Sequence, residues 1–161
     1  MQAKDVKRIE LEVPSSSLGV CNIQEPATGL EAKFSFRAVA AMTLLGDDTG
    51  DVAAYTSERV TRAALRELRD RVRVTGRDDL RHGRCVTTVE LHDGRRFTAS
   101  SERPSHPDPA EQRETVAKKY FSLVEPVLGW EQAHELHQRV MSLERRHTVQ
   151  SIIDLSMMKG P

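Results

Sequence analysis

Residues 25–36, Glu-Pro-Ala-Thr-Gly-Leu-Glu-Ala-Lys-Phe-Ser-Phe, hold the groups best placed to handle a small anion. Pro26 stops any preceding element, Thr28 is positioned to cap a new helix, and Glu31, three residues on, completes a reciprocal Thr-x-x-Glu capping box. A helix start offers free backbone N–H groups and the positive end of the helix dipole, both of which favour a carboxylate. Lys33 falls in the first turns, where a cation opposes the dipole by about a few tenths of a kcal/mol. It therefore calls for an anionic partner, either a substrate or simply Glu25 or Glu31 in a surface ion pair. Ser35 has no His and Asp motif nearby to activate its hydroxyl, so acyl transfer is not indicated. His134 and His137 sit three apart beside Glu131 and Glu135, a spacing that puts two imidazoles on one helix face. The spacing is not that of a zincin, and an exposed charged helix face explains the same residues. His82, His92, His106 and His147 are scattered among turns and element ends and suggest nothing jointly.

The elements that must position these groups follow from composition and periodicity. A chain of 161 residues is long enough to bury a core of its own, and with only 4% aromatic residues that core must be aliphatic and alanine-rich. Lys+Arg and Asp+Glu both number 24, so no global field concentrates the chain on nucleic acid or anionic lipid, and partners of those kinds are not expected. No segment approaches a membrane span, and the N-terminus runs into a strand-like stretch without an apolar signal core, so the expected location is the cytoplasm. Cys21 and Cys85 show neither metal nor redox spacing and are read as thiols.

Ile9, Leu11 and Val13 share one face of a strand that Pro14 ends. Residues 14–27 read as a long loop around Cys21-Asn22-Ile23, and such loops are often functional. From Thr28 a single helix is expected to run to Gly46 with Leu30, Phe34, Ala38, Ala41, Met42 and Leu45 inward. Ser57 is the expected cap of a second helix that buries Val60, Ala64, Leu65 and Leu68. Strands at 71–75, 85–91 and 96–100 follow, the last two joined by Asp93-Gly94, and the three are read as an antiparallel meander. Pro104, Pro107 and Pro109 mark an extended connection, Asp108 caps a helix reaching Phe121, and Pro126 and Gly129 interrupt before helices at 130–143 and 148–157. The fold class is therefore α+β, an antiparallel sheet with helices packed on it, plus C-terminal helices.

The Glu25-Pro26, Thr28-Gly29 and Leu30-Glu31-Ala32-Lys33-Phe34-Ser35 run resembles the EP-TG-LEAKFS segment of the MmgE/PrpD family, and the likeness extends from about residue 4 nearly to the end. That family includes 2-methylcitrate dehydratase and cis-aconitate decarboxylase, and the similarity is to its C-terminal part. The resemblance implies a small α+β lid domain, here residues 1–128, with residues 129–161 as a helical tail that packs on a larger helical domain. It also implies lyase chemistry on a citrate-like acid without metal or cofactor. The family's acid and base residues, in the helical domain and in a Lys-x-Tyr-Pro segment followed by His, are not in this sequence, so no catalytic residue is assigned and the chain alone is expected to be inactive. The implied lid-side, substrate-binding residues are Cys21, Asn22, Thr28, Gly29 and Lys33. Lys118 and Lys119 match a lysine position that looks structural. The implied partners are a small carboxylic acid and the helical MmgE/PrpD domain or a second subunit. Homo-oligomers are also expected, because the apolar stripes of 130–157 need a surface to cover them. A non-catalytic binding or assembly module that retains the lid fold is the alternative.

Overall fold

The computed structural model describes residues 2–103, 108–145 and 149–157. The connection around Pro104 and Pro107, His106, His147 and the helix start at Thr148 lie outside the described residues. Two compact units, Met1–Ser105 and His106–Pro161, make up the chain. Among the described residues no helix is long and apolar enough to cross a membrane.

The first unit is α+β and is built on strand β1 (Val6–Pro14). Ile9, Leu11 and Val13 are buried as their alternation requires. Val6 is buried too, although its parity places it with Arg8, because the pairing register shifts between Val6 and Arg8. That bulge is the physical origin of the imperfect alternation at the start of the strand. The sheet order is β2-β1-β3-β4, with β2 at Val72–Arg77, β3 at Arg84–Leu91 and β4 at Arg96–Glu102. Strands β3 and β4 form the hairpin that Asp93-Gly94 signals, with Gly94 at φ 86°, the left-handed conformation its turn needs.

The meander reading fails at β2, which pairs parallel to β1 (Ile9↔Val72 to Pro14↔Arg77) and does not lie beside β3. Residues 15–71 supply the crossover that parallel strands require. Charge on the solvent face favours this order. Glu12 of β1 meets Arg77 of β2 at 3.0 Å, while Glu90 of β3 meets Lys7 at 2.6 Å and Arg8 at 3.2 Å on β1 and Arg96 of β4 at 3.1 Å. These bonds, that from Lys7 foremost, bring the Glu90 carboxyl down from 4.5 to about 2. A depressed carboxyl contributes stability that is complete above its unfolded value and is lost as pH falls through the folded one. We expect Glu90→Gln to flatten the pH dependence of the denaturation midpoint between about pH 4.5 and 2; an unchanged slope there would show that the cluster contributes nothing.

The helical layer covers the apolar face of this sheet. The expected 28–46 helix is two helices, α2 (Gly29–Lys33) and α3 (Phe36–Leu44), because Ser35 caps a new start, its Oγ accepting from Ala38 N at 3.2 Å. With the break, Leu30 turns outward and is 68% exposed, and Phe34 is also exposed, whereas Ala38, Ala41 and Met42 remain in the core. The next segment divides in the same way into α4 (Ser57–Val60), capped by Thr56 and not Ser57, and α5 (Ala63–Arg69). Val60, Leu65 and Leu68 join Met42, Ile9, Val72 and Leu91 in one core, while Ala64 faces solvent. The short helix α1 (Leu18–Cys21) occupies part of the expected loop.

In the second unit, α6 (Pro109–Leu128) starts at Asp108, whose side chain accepts from Ala110 N at 2.7 Å. It continues past Phe121 to Leu128 with Pro126 inside its last turn; the missing N–H forfeits one backbone bond, and only two residues of the helix follow it. Gly129, at φ 78°, reverses the chain into α7 (Trp130–Met141), which packs against α6 and against α8 (Gln150–Ser156). Ala133 and Leu136 are its buried residues. Trp130, Val140, Met141, Leu143 and Ile153 remain exposed.

Candidate functional site

The local cause of the site is the break at Ser35. Its hydroxyl is 1% exposed and donates to the Ile23 carbonyl, Ile23 N donates to Phe34 O at 3.1 Å, and Asn22 bridges Ser35 as an isolated antiparallel pair. The loop after α1 is thereby fastened to the junction of α2 and α3. Asn22 Oδ1 accepts from Arg37 Nη1 at 2.8 Å, which fixes the guanidinium at the first turn of α3. Among the described residues Arg37 has no carboxylate within ion-pair distance. A half-buried guanidinium held by a neutral amide keeps most of its donors and its whole charge for a carboxylate, which it can grip at two points.

The capping box forms as its spacing demands. Glu31 N donates to Thr28 Oγ1 at 3.2 Å, and the Glu31 carboxylate accepts from Ala27 N at 2.7 Å and Thr28 N at 3.0 Å. Those backbone bonds, Ala27 first, hold the Glu31 carboxyl below its ordinary range. Gly29 is buried because the Tyr55 backbone lies against it: a Cβ there would stand 1.6 Å from the Tyr55 carbonyl oxygen. Tyr55 also receives Lys33, whose Nζ lies 5.3 Å from the ring centroid, and its hydroxyl donates to Thr49 O at 3.0 Å. Burial foremost, with Asp48 adding, raises the Tyr55 hydroxyl above its ordinary value.

The five sequence-derived residues thus fall into two groups. Cys21, a half-buried free thiol at the end of α1, and Asn22 belong to the loop stitched to Ser35 and Arg37. Thr28, Gly29 and Lys33 belong to α2 and converge on Tyr55. Lys33 finds an aromatic face and not Glu25 or Glu31. Arg37 and Tyr55 escaped sequence reasoning; Arg37 stands against the dipole in the first turn of α3 only because Ser35 breaks the helix expected from Thr28 to Gly46. His134 stacks on Phe121 and lies tilted against Trp130, with centroids 4.3 and 4.2 Å away, and donates through Nδ1 to the Trp130 carbonyl at 2.9 Å. His137 packs on Tyr120 and Phe121, so aromatic packing employs both imidazoles. Among the described residues no group of three metal-ligating side chains occurs. Lys118 pairs with Glu114 on the surface of α6.

An α+β unit with a Thr28-capped helix after its first strand is the arrangement the sequence resemblance implies, and comparison with known families decides the matter. The family model of the MmgE/PrpD C-terminal domain matches residues 1–145. The chain belongs to the MmgE/PrpD family through its C-terminal domain. No curated protein matches the chain. Within the MmgE/PrpD match lie the Asn22–Arg37 pair, the α2 start and the whole of helix α7.

Proposed function

We propose that the chain forms the C-terminal part of an MmgE/PrpD-type lyase, a dehydratase or decarboxylase of a citrate-like tricarboxylic acid, and supplies the carboxylate-holding side of a composite site. Arg37 carries this reading: a half-buried guanidinium oriented by Asn22 and lacking an acidic partner among the described residues. Cys21, Asn22, Thr28, Gly29 and Lys33 surround the acid on the lid side, Lys33 supplying a second cation. Removing a proton next to a carboxylate needs a base and an acid held against the substrate, and these come from the helical MmgE/PrpD domain, on a partner polypeptide or a second subunit. The exposed Trp130, Val140, Met141, Leu143 and Ile153 support such a partner, since covering a large apolar side chain is worth roughly 1.5–3 kcal/mol. Two free thiols suit a reducing cytoplasm.

Reconstitution tests the reading. The chain is mixed with a polypeptide bearing the helical domain, and 2-methylcitrate dehydration or cis-aconitate decarboxylation is followed. Turnover in the mixture and none with the chain alone is the expected result. Association without turnover of any tricarboxylate would favour an assembly module built on the lid fold.

A further inference from the structure

On the solvent face of the sheet, cations outnumber acids at the end where β1 and β2 begin. Lys7 and Arg8 of β1, Arg71 just before β2 and Arg73 within it surround an open cleft of about 420 Å³, with Asp70 and Glu90 also in its wall. Both of those carboxylates are already engaged. Asp70 accepts from Arg69 Nε at 2.9 Å and Nη2 at 2.7 Å, and Glu90 serves Lys7, Arg8 and Arg96 together. Glu67 takes Arg71 at 2.5 Å, and Glu10 takes Arg8 at 3.4 Å. Arg73 stands across from Glu10 in the β1–β2 register, yet among the described residues it has no carboxylate within ion-pair distance. Lys7, Arg8, Arg69, Arg71, Arg73 and Arg96 thus set six positive charges against the four of Glu10, Glu67, Asp70 and Glu90, an excess of two. In a chain whose Lys+Arg and Asp+Glu balance at 24 each, that excess is a local feature.

We propose that this cleft binds the phosphate group of a small phosphorylated ligand. A phosphate monoester carries about 1.5 to 2 negative charges near neutral pH and presents three acceptor oxygens, which matches the excess, whereas a single carboxylate would cancel only half of it. Guanidinium groups grip such an anion through two parallel N–H donors. Arg73 brings a whole fork to it. Arg8 is held only by contacts of 3.2 and 3.4 Å, longer than the roughly 2.7–2.9 Å of a tight charge-assisted bond, so it can turn an edge toward the ligand. Arg71 is fixed as a charged wall, its Nη1 donating to the Val6 carbonyl at 2.6 Å and its Nη2 to Glu67. The backing is rigid, since Ile9 N donates to Arg71 O at 3.0 Å and Val72 is buried between its two arginine neighbours. The cleft shares no residue with the Arg37 site, so this inference is independent of the lyase reading.

Titration of the labelled full chain with inorganic phosphate at constant ionic strength, followed by two-dimensional NMR, tests it. Saturable shifts are expected at Arg8, Arg71, Val72 and Arg73, with a Kd on the order of a millimolar. Acetate at the same ionic strength should produce much smaller ones, which separates binding from general screening. Arg73 is exposed, so Arg73→Gln should keep the fold and weaken phosphate binding about tenfold. Arg37→Met, by contrast, should leave phosphate binding unchanged. No saturable shift at tens of millimolar phosphate, acetate shifts equal to those of phosphate, an Arg73→Gln protein that binds phosphate as wild type does, or phosphate binding lost in Arg37→Met would each overturn the proposal.

Discussion

Replacing Gly29 with alanine is expected to lower stability by on the order of 3 kcal/mol, read as a shift of the urea midpoint at constant slope. Two effects oppose one another at this position. Alanine is the better helix former and by itself would stabilise an exposed helical site by up to about 1 kcal/mol. Against that, its Cβ would stand 1.6 Å from the Tyr55 carbonyl oxygen and 2.5 Å from the Tyr55 carbonyl carbon. These are backbone atoms, which cannot swing aside as a flexible side chain does, so the helix start or the 51–55 turn must shift. The steric effect wins, and the shift also disturbs Lys33, which rests on the Tyr55 ring. A Gly29→Ala protein as stable as wild type would mean that α2 does not approach Tyr55 so closely.

Arg37→Met is expected to weaken tricarboxylate binding about a hundredfold, the equivalent of roughly 3 kcal/mol for a charge-assisted pair that is partly shielded from water. Methionine keeps the length and apolar stem of the side chain, so α3 should pack as before. Asn22→Asp makes the complementary case: it gives the guanidinium a carboxylate of its own, 2.8 Å from the present contact atom, and should lower affinity for the acid while leaving the fold at least as stable. A purely structural role for the pair predicts the reverse, lost stability in Arg37→Met with unchanged affinity in both variants.

Local signals were legible in the sequence because their causes are local. The Thr28–Glu31 box and the Asp93-Gly94 hairpin each depend on residues a few positions apart, and both form as their spacing requires. Ile9, Leu11 and Val13 share a buried face for the same reason. What the sequence did not disclose depends on partners distant in the chain. Ser35 breaks the long helix because the Ile23 carbonyl, twelve residues back, accepts its hydroxyl hydrogen bond. Strand β2 joins β1 in parallel after a crossover of more than fifty residues, and periodicity within β2 carries no trace of that choice. The close approach of Tyr55 to Gly29 and the fixing of Arg37 by Asn22 are likewise tertiary events. Cys21, Asn22, Thr28, Gly29 and Lys33 are candidates on sequence alone, whereas Arg37 enters the proposed site only through the Asn22 contact that the fold creates.

The central claim, that this MmgE/PrpD domain holds a tricarboxylate on its lid side, is tested most directly by a two-dimensional NMR titration of the labelled chain with citrate, 2-methylcitrate and cis-aconitate. The account predicts saturable shifts confined to the amides of Cys21, Asn22, Thr28, Gly29 and Lys33 and the guanidinium of Arg37. Unmoved resonances at these positions at millimolar acid would contradict it.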